Sequence, residues 1–311
     1  HPQISLFRKE NGGKHTALNY AIERLTTSYV GCLDADSFVE AATLKKIMCK
    51  FAQVPEAMAV TPALTIFKPK SLVQHMQATE YKFGILVKKA LGLMDAIHVT
   101  PGPFSIFKKE VFEKIGMYRK AHNTEDMEIA FRMQKNFMKI ENVHNARVFT
   151  TGPNTVKKLY KQRVRWTSGF LENAKDYKEL FFNKRYGNVG LITLPTGLIL
   201  IFGVLYSSFI FIYNLVRLIE TEYLQFRVVG LSAPHFTFNW FYINTRTNMF
   251  LSLAVISLTI FIVLIAQKLI DGKMKLSKDL VMYCLLYPFI SPFWVAKSVY
   301  NSVASKKAPW R

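Results

Sequence analysis

The chain has 311 residues, half of them hydrophobic, and a formal net charge of +20. This length suffices for one or two domains with a sizeable core. A basic excess usually indicates nucleic acid, an anionic membrane surface or an anionic substrate. The sequence has neither zinc-finger spacing nor an RNP-like aromatic run, so we expect no nucleic-acid partner. Its three widely separated cysteines predict no disulfide framework.

The first residues indicate that the sequence opens inside a domain. His1 and Pro2 form neither a start methionine nor a signal peptide, and residues 4–7 predict a short strand. We therefore expect the sequence to be part of a longer chain. Lys14 comes after the turn signal of residues 11–13 and before a helix predicted over 19–25. Helix N-termini favour anions, so Lys14 predicts an anion contact, although a solvated lysine on a turn is the alternative.

Two carboxylates, Asp34 and Asp36, follow an apolar run over residues 29–33 and precede a helix predicted over 41–51. We interpret the run as a buried parallel strand of an α/β unit. Ligands bind at the carboxyl ends of strands in such sheets, where one or two carboxylates plus substrate phosphates can hold a divalent cation. The pair therefore predicts a metal site. The alternative is a helix N-cap provided by Asp36 or Ser37.

The middle of the chain predicts more α/β structure. Residues 59–66 predict a strand pair or edge strand, because Pro62 disfavours a central position. Residues 71–91 predict an amphipathic helix that packs on the domain or rests at a membrane face. Gly102 interrupts a strand predicted over 99–107 between two prolines. It would let the backbone approach a ligand closely, or it marks a kinked turn.

Thr124-Glu125-Asp126 opens a helix predicted to run to about residue 136. Thr124 is a plausible N-cap, and acidic residues suit the positive end of the helix dipole. A functional reading assigns Asp126 as the carboxylate that accepts a proton from an attacking hydroxyl, kept ionised by the helix N-terminus. Both readings place Asp126 in the first helical turn.

The segment Gln162-Arg163-Val164-Arg165-Trp166, here called the 162–166 motif, lies in a basic helix predicted over 155–178. It places an amide, two guanidinium groups and an indole within about one and a half helical turns. Guanidinium forks suit phosphate oxygens, and an indole can stack on a sugar or a base. The alternative is a basic helix on anionic headgroups with an interfacial tryptophan.

Three apolar segments, residues 191–216, 249–266 and 280–304, are long enough to span a membrane. The loop between the second and third segments is rich in lysine, which predicts a cytoplasmic position for it and for residues 1–190. Three full crossings would place the basic residues Lys306, Lys307 and Arg311 outside, against this tendency. Whether the third segment is re-entrant or the first is partly interfacial stays open.

Four features occur in a fixed order: Lys14 with Ala17-Leu18-Asn19, Asp34-Ala35-Asp36, Thr124-Glu125-Asp126, and the 162–166 motif. Together they resemble the membrane-bound family-2 glycosyltransferases, in particular the hyaluronan, chitin and poly-N-acetylglucosamine synthase-like group. The resemblance implies an α/β GT-A-type (Rossmann-like) domain, incomplete at its N-terminus and followed by a helical transmembrane region. It implies a partial catalytic domain over 1–154, interfacial helices over 155–190 and a transmembrane region over 191–311.

The resemblance also implies the reaction and the role of each site residue. It implies inverting transfer from a nucleotide-diphosphate sugar, with UDP-N-acetylglucosamine as the best guess, to a growing polysaccharide at the membrane, with Mg²⁺ or Mn²⁺ as cofactor. Asp126 would be the catalytic base, and Asp36 and Asp34 would hold the metal. The nucleotide and diphosphate would be bound by Lys14, Asp34, Gln162 and Arg165. The acceptor would be bound by Trp166, Gly102 and Glu125.

One departure from this family and two alternatives accompany the resemblance. The family begins with a strand-helix-strand unit that carries an acidic nucleotide-binding motif, usually with membrane helices before it. This sequence contains neither, so we expect the isolated 311-residue chain to be inactive. One alternative is transfer of a single sugar to a lipid acceptor. The other is a membrane scaffold without catalysis, whose basic face binds lipid headgroups.

Overall fold

The computed structural model describes residues 4–230, 247–275 and 277–304. Its strands form one mixed sheet in the order β1-β4-β3-β5-β2. Strands β3 and β5 run parallel, whereas the other neighbouring strands pair antiparallel. The strands are β1 (Tyr29–Gly31), β2 (Ser37–Val39), β3 (Ala57–Ile66), β4 (Ile106–Lys108) and β5 (Lys139–Thr150).

Helices cover both faces of the sheet. One face packs against α1, α4 and α5, and the other packs against α2. Consecutive residues of β3, Ala59 and Val60, belong to these two separate clusters, as the alternation of side chains along a strand requires. The helices are α1 (Lys14–Ile22), α2 (Thr43–Gln53), α3 (Leu72–Leu93), α4 (Glu110–Ile115), α5 (Glu125–Lys135), α6 (Val156–Asp176), α7 (Leu194–Val229), α8 (Thr247–Asp271) and α9 (Lys278–Val303).

Strand β3 is central, so the prediction of an edge position was wrong. It lies between β4 and β5, and nearly all of its residues are buried. Strand β4 is short and pairs with β3 only at Ala59 and Val60, so Pro62 lies beyond its reach. On the other side, the pairing with β5 shifts register between Pro62 and Ala63. This irregularity lets a proline stay within a central strand.

The start of the chain also differs from expectation. Residues 4–13 form no regular structure, so the strand predicted over 4–7 is absent there, and α1 begins at Lys14 itself. Strand β1 is not a buried parallel strand but the edge of the described sheet, antiparallel to β4. Asp34 and Asp36 lie between β1 and β2 rather than before a helix. The N-cap alternative for them was wrong, because the N-cap of α2 is Ala42.

Helix α3 connects the sheet with the apolar C-terminal helices. Its start is fixed by a capping box, in which Ser71 and Gln74 each bind the other's backbone N–H. It packs against β3 and β5 on one side and against α8 and α9 on the other. The helix therefore packs on the domain, as one alternative predicted, and it also contacts the apolar helices. A position at a membrane face stays a prediction.

Within the described ranges, three helices are long and apolar enough to cross a membrane: Val189–Val229, Leu253–Asp271 and Lys278–Val303. They coincide with the three predicted segments, although the first extends well beyond residue 216. Large apolar side chains cover the surface of α7, including Phe202 and Phe209, which are two-thirds exposed. The basic residues 306, 307 and 311 lie outside the described part of the chain.

Helix α9 contacts the N-terminal part of the protein along its whole length. Near its start, the Asp279 carboxylate lies 2.8 Å from Nδ1 of His75 in α3. Near its middle, Trp294 is buried in a cluster with residues of α3 and α6. Near its end, the Ser302 hydroxyl donates to Glu172 of α6 at 2.6 Å. Packing therefore continues across the domain boundary predicted at residue 190.

Candidate active site

Lys14 joins three separate parts of the chain. Its Nζ atom lies 2.6 Å from Oδ1 of Asp34, between β1 and β2, and 3.5 Å from Oε1 of Glu125, at the start of α5. Burial alone would lower the pKa of Lys14. The hydrogen bond that Lys14 donates to Asp34 and the charges of both carboxylates outweigh burial and raise that pKa above its usual value. Lys14 therefore keeps a full positive charge beside two carboxylates.

Gly102 lies directly against this pair. A Cβ atom added to it would lie 2.5 Å from Nζ of Lys14 and 3.2 Å from Oδ2 of Asp34. A side chain at this position would push against the end of the lysine, so the backbone here comes close to Lys14 and Asp34. Residues 102–104 form a turn, as the kinked-turn alternative predicted, and close approach to a ligand stays a prediction. The strand predicted over 99–107 was wrong, however. Strand β4 begins only at Ile106, and the residues before it form an irregular loop.

Backbone hydrogen bonds hold the Gly102 loop between β1 and α5. The N–H of Phe104 donates to the carbonyl oxygen of Cys32 at 2.5 Å. At its other end, the N–H and the hydroxyl of Thr100 both donate to the carbonyl oxygen of Asp126, at 3.1 and 2.8 Å. The loop thereby places Gly102 in the same cleft as Lys14 and Asp126.

Asp126 has the electrostatics of a proton acceptor. Burial raises its pKa to about 6, and the negative charge of Glu125 acts in the same direction. The positive charges of Lys14 and Arg165 oppose this rise, as does the backbone N–H of Met127. A pKa near 6 leaves the carboxylate ionised at neutral pH but able to hold a proton that it accepts.

The segment that leads into α5 is held from two sides. Asn19 of α1 donates to the carbonyl oxygen of Tyr118 at 2.8 Å and accepts from its N–H at 3.0 Å. The buried guanidinium of Arg132 donates to the carbonyl oxygens of residues 115–117 and pairs with Glu128 at 2.9 Å. The sequence pattern did not predict this contact for Asn19. A polar side chain within an apolar helix pattern is the signal that could have indicated it.

Thr124 forms the contact between α5 and α6. It takes the N-cap position of α5, but its hydroxyl donates to the carbonyl of Ala121 and accepts from Asn173 of α6 at 2.9 Å. Close approach here requires Gly169. A Cβ atom on Gly169 would lie 2.5 Å from the Thr124 hydroxyl oxygen and closer still to its methyl group. This contact sets the distance between Asp126 and the 162–166 motif.

The residues of the 162–166 motif point in different directions. The charge of Arg165 opposes the rise in the pKa of Asp126, so this guanidinium lies near the cleft that contains Asp126. Oε1 of Gln162 is buried without a hydrogen-bond partner and can take one from a ligand. Arg163 instead pairs with Glu80 of α3 at 2.7 Å and lies over the ring of Trp166. The sequence pattern suggested both guanidinium groups as phosphate contacts. Of the two, only the charge of Arg165 affects the pKa of Asp126.

Asp34 and Asp36 fit a divalent cation that completes its shell elsewhere. In the described ranges, no three His, Cys, Asp or Glu residues come together as a metal site. The Asp34 side chain is one-third exposed, and Asp36 is exposed, with an oxygen that accepts from the Ser37 hydroxyl at 3.1 Å. Two reachable carboxylates suit Mg²⁺ or Mn²⁺ when diphosphate oxygens supply further ligands.

The chain matches a known protein family over most of its length. The family described as glycosyl transferase family group 2 matches residues 29–271. The chain belongs to this family. The family predicted from the four motifs is thereby confirmed, while the role of each site residue stays a prediction.

Two curated relatives are poly-β-1,6-N-acetyl-D-glucosamine synthases. The protein from Staphylococcus aureus (strain COL) is 31% identical over 180 residues, which cover 57% of this chain and 44% of the relative. The protein from Staphylococcus epidermidis is 25% identical over 300 residues, which cover 96% of this chain and 68% of the relative. This chain thus spans less than half the length of the first relative.

A solved structure supports the fold class. It is a mannosyltransferase from Pyrobaculum calidifontis in complex with GDP-Man and Mn²⁺, with a TM-score of 0.54 and 15% sequence identity. The match covers 98% of this chain and 72% of that one. The predicted GT-A-type α/β fold, followed by apolar helices that could span a membrane, is therefore confirmed.

Proposed function

We propose that this protein transfers N-acetylglucosamine from UDP-N-acetylglucosamine to a growing polysaccharide at the membrane, with inversion at the anomeric carbon. The observation that carries the proposal is the cleft that contains the Asp126 carboxylate together with Lys14 and Gly102. The charge of Arg165 acts on the pKa of Asp126 there. The choice of sugar rests on the similarity to poly-β-1,6-N-acetyl-D-glucosamine synthases.

Asp126 acts as the general base. A hydroxyl of the acceptor sugar attacks the anomeric carbon from the face opposite the diphosphate. The new carbon–oxygen bond forms as the bond to the phosphate oxygen breaks, and the hydroxyl proton passes to the Asp126 carboxylate. A pKa of about 6 keeps this carboxylate ionised at neutral pH while leaving it basic enough to take the proton.

The departing nucleoside diphosphate gains negative charge, which cationic side chains at the cleft stabilise. Arg165 supplies a permanent positive charge near Asp126, and Lys14 supplies a second from α1. Gln162 offers an amide whose oxygen has no partner; rotation of the amide would present its N–H₂ group to a phosphate. Mg²⁺ or Mn²⁺ bound at Asp34 and Asp36 would neutralise further charge.

Three other residues bind the acceptor in this proposal. The indole of Trp166 provides a flat apolar face for a sugar ring, and Gly102 lies at the cleft with its backbone directly against Lys14 and Asp34. Glu125 is buried next to Asp126 and can accept a hydrogen bond from an acceptor hydroxyl. Orientation of this kind can contribute several kcal/mol, on the order of 7–11 in the best intramolecular cases.

The test uses the full-length parent protein in membranes, supplied with Mn²⁺ and a panel of nucleotide sugars. We expect UDP release that is fastest with UDP-N-acetylglucosamine, a product that lengthens with time on a gel, and loss of both with a chelator. A product of constant length carrying one sugar on lipid would instead favour the lipid-acceptor alternative. No nucleotide release from any donor would contradict catalysis and favour the scaffold.

We also propose that residues 1–190 face the cytoplasm and that α7 and α8 cross the bilayer, whereas α9 lies along the cytoplasmic face. Contacts at both ends of α9, with His75 of α3 and Glu172 of α6, support this. A crossing α9 would pull the charged helix α6 into hydrocarbon, which is costly. Its outward face carries the exposed apolar residues Leu285, Phe289 and Phe293, which suit a lipid surface.

A topology reporter tests this arrangement. Inserted after Ala304 in the full-length protein, it should report a cytoplasmic position. In this arrangement α8 ends on the cytoplasmic side, and α9 follows it without crossing the bilayer. The same reporter inserted after Gly230, between α7 and α8, should report the opposite side. An external signal from the Ala304 insertion would show that α9 crosses the bilayer and would contradict the proposal.

A further inference from the structure

Arg163 is a buried cation with fixed partners on two other helices. Its side chain is 7% exposed, and its Nη2 atom lies 2.7 Å from Oε2 of Glu80 in α3. The other carboxylate oxygen of Glu80 accepts a hydrogen bond from the Tyr287 hydroxyl of α9 at 3.1 Å. Burial would lower the pKa of Arg163, but the charge of Glu80 outweighs it. The guanidinium is therefore permanently charged. It is held by the Glu80 carboxylate, which Tyr287 in turn holds in place.

The same guanidinium covers the ring of Trp166. Its central carbon lies 4.3 Å from the ring centroid, and the two residues are three positions apart on α6, which places them on the same face of the helix. Burial raises the pKa of Tyr81, and the charge of Arg163 opposes this rise, so the two side chains lie close together. The indole thus has one face against a charged plane whose position is set by side chains of α3 and α9.

We propose that Arg163 is a positioning residue for the acceptor. Glu80 and Tyr287 fix the guanidinium plane, and that plane fixes the tilt of the Trp166 indole. The opposite face of the ring is then held at one fixed angle for the acceptor sugar. This proposal rests on the proposed function, because it assigns Arg163 to the acceptor side of that reaction.

Arg163→Lys tests the proposal with the least disturbance. Lysine keeps the positive charge that Glu80 needs, but it lacks the planar guanidinium group that lies over the indole ring. In the full-length protein, we expect transfer to a short β-1,6-linked N-acetylglucosamine oligomer to fall about tenfold or more, mainly through the acceptor KM, since small misplacements cost rates of this order. Donor hydrolysis by water, which needs no sugar on Trp166, should stay within about twofold.

Two further variants make the test decisive. Tyr287→Phe keeps the ring and removes the hydrogen bond to Glu80, so it should lower the ratio of transfer to hydrolysis in the same direction but less. Arg185→Lys is the matched control, because Arg185 also lies over an aromatic ring, 5.6 Å from the centroid of Phe137, and does not line the catalytic cleft. It should leave both rates unchanged.

The outcomes separate this proposal from the proposed function. A wild-type protein that neither hydrolyses nor transfers the sugar would overturn the proposed function, and this proposal with it. An active wild type whose ratio of transfer to hydrolysis is unchanged by Arg163→Lys would overturn the positioning role alone. A parallel fall in both rates would show a merely structural role. If Arg163→Lys does not fold, the ratio measured for Tyr287→Phe decides.

Discussion

Replacing Asp126 by asparagine will abolish sugar transfer and leave nucleotide binding nearly intact. Asparagine has the same shape but cannot take the proton of the acceptor hydroxyl, and removal of a general base costs about 10²–10⁴-fold in rate. Binding should persist, because Lys14, Arg165, Asp34 and Asp36, the residues proposed to bind the nucleotide and the metal, are unchanged. Transfer is measured with labelled donor, and nucleotide binding is measured by calorimetry on the same preparation.

The control for this variant is Asp176→Asn, the same substitution at an exposed carboxylate that pairs with His122. It should leave transfer unchanged. Loss of both transfer and nucleotide binding in Asp126→Asn would instead assign a structural role to Asp126, because the first turn of α5 would then have been disturbed.

The wild-type rate should depend on pH in a way that follows from Asp126. Burial raises its pKa to about 6, so the carboxylate gains a proton as the pH falls through about 6. Transfer should therefore decline below pH 6, approaching tenfold per pH unit. Glu125 contributes to the rise, so Glu125→Gln should lower the pKa and move the decline to lower pH. A flat profile between pH 5 and 7 would contradict the role of Asp126 as the base.

The second large effect is expected from Gly169→Ala. The added methyl group would lie 2.5 Å from the Thr124 hydroxyl oxygen and 2.9 Å from its Cβ atom, distances at which one helix must move. Overpacking of this kind costs about 1–3 kcal/mol. Because Thr124 immediately precedes the first turn of α5, any movement also displaces Asp126 relative to Arg165 and Trp166. We expect a lower unfolding midpoint and at least about a tenfold loss of transfer.

Two variants test this explanation. Gly84→Ala is the matched control, because nothing lies within 4 Å of the added Cβ on α3. It should be neutral or stabilise by up to about 1 kcal/mol. Thr124→Ala removes the hydroxyl oxygen and the methyl group that lie closest to the added Cβ. The double variant Gly169→Ala with Thr124→Ala should therefore retain more activity than the sum of the two single losses predicts. A fully stable and active Gly169→Ala protein would contradict the tight contact described between α5 and α6.

The sequence predicted the features that depend on local pattern. The apolar runs, α5 with Asp126 in its first turn, and the basic helix that carries the 162–166 motif all depend on residues close in sequence. The position of β3 could not be predicted in this way. Proline is disfavoured in central strands because it has no backbone N–H to donate to a neighbouring strand. Here β4 pairs with β3 only at Ala59 and Val60, so it has no residue opposite Pro62. The length of a partner strand cannot be read from Pro62.

Arg163 shows the same limit within the site. Arg163 and Arg165 look equivalent in sequence, yet residues two positions apart on a helix are separated by about 200° around its axis. One therefore acts on Asp126 while the other turns away. The partner that decides the matter, Glu80, lies 83 residues earlier on α3, where nothing in the sequence connects the two.

The packing of α9 bears on how the catalytic part can be isolated. Met76, Leu159 and Val164 belong to a buried cluster that Trp294 and Val295 complete from the far end of the chain. Truncation at residue 190 would remove both and open the cluster to water as an apolar patch of the kind that promotes aggregation. A soluble version would need polar replacements at that patch, or α9 supplied as a separate peptide, so that the folding unit is defined by contacts rather than by sequence order.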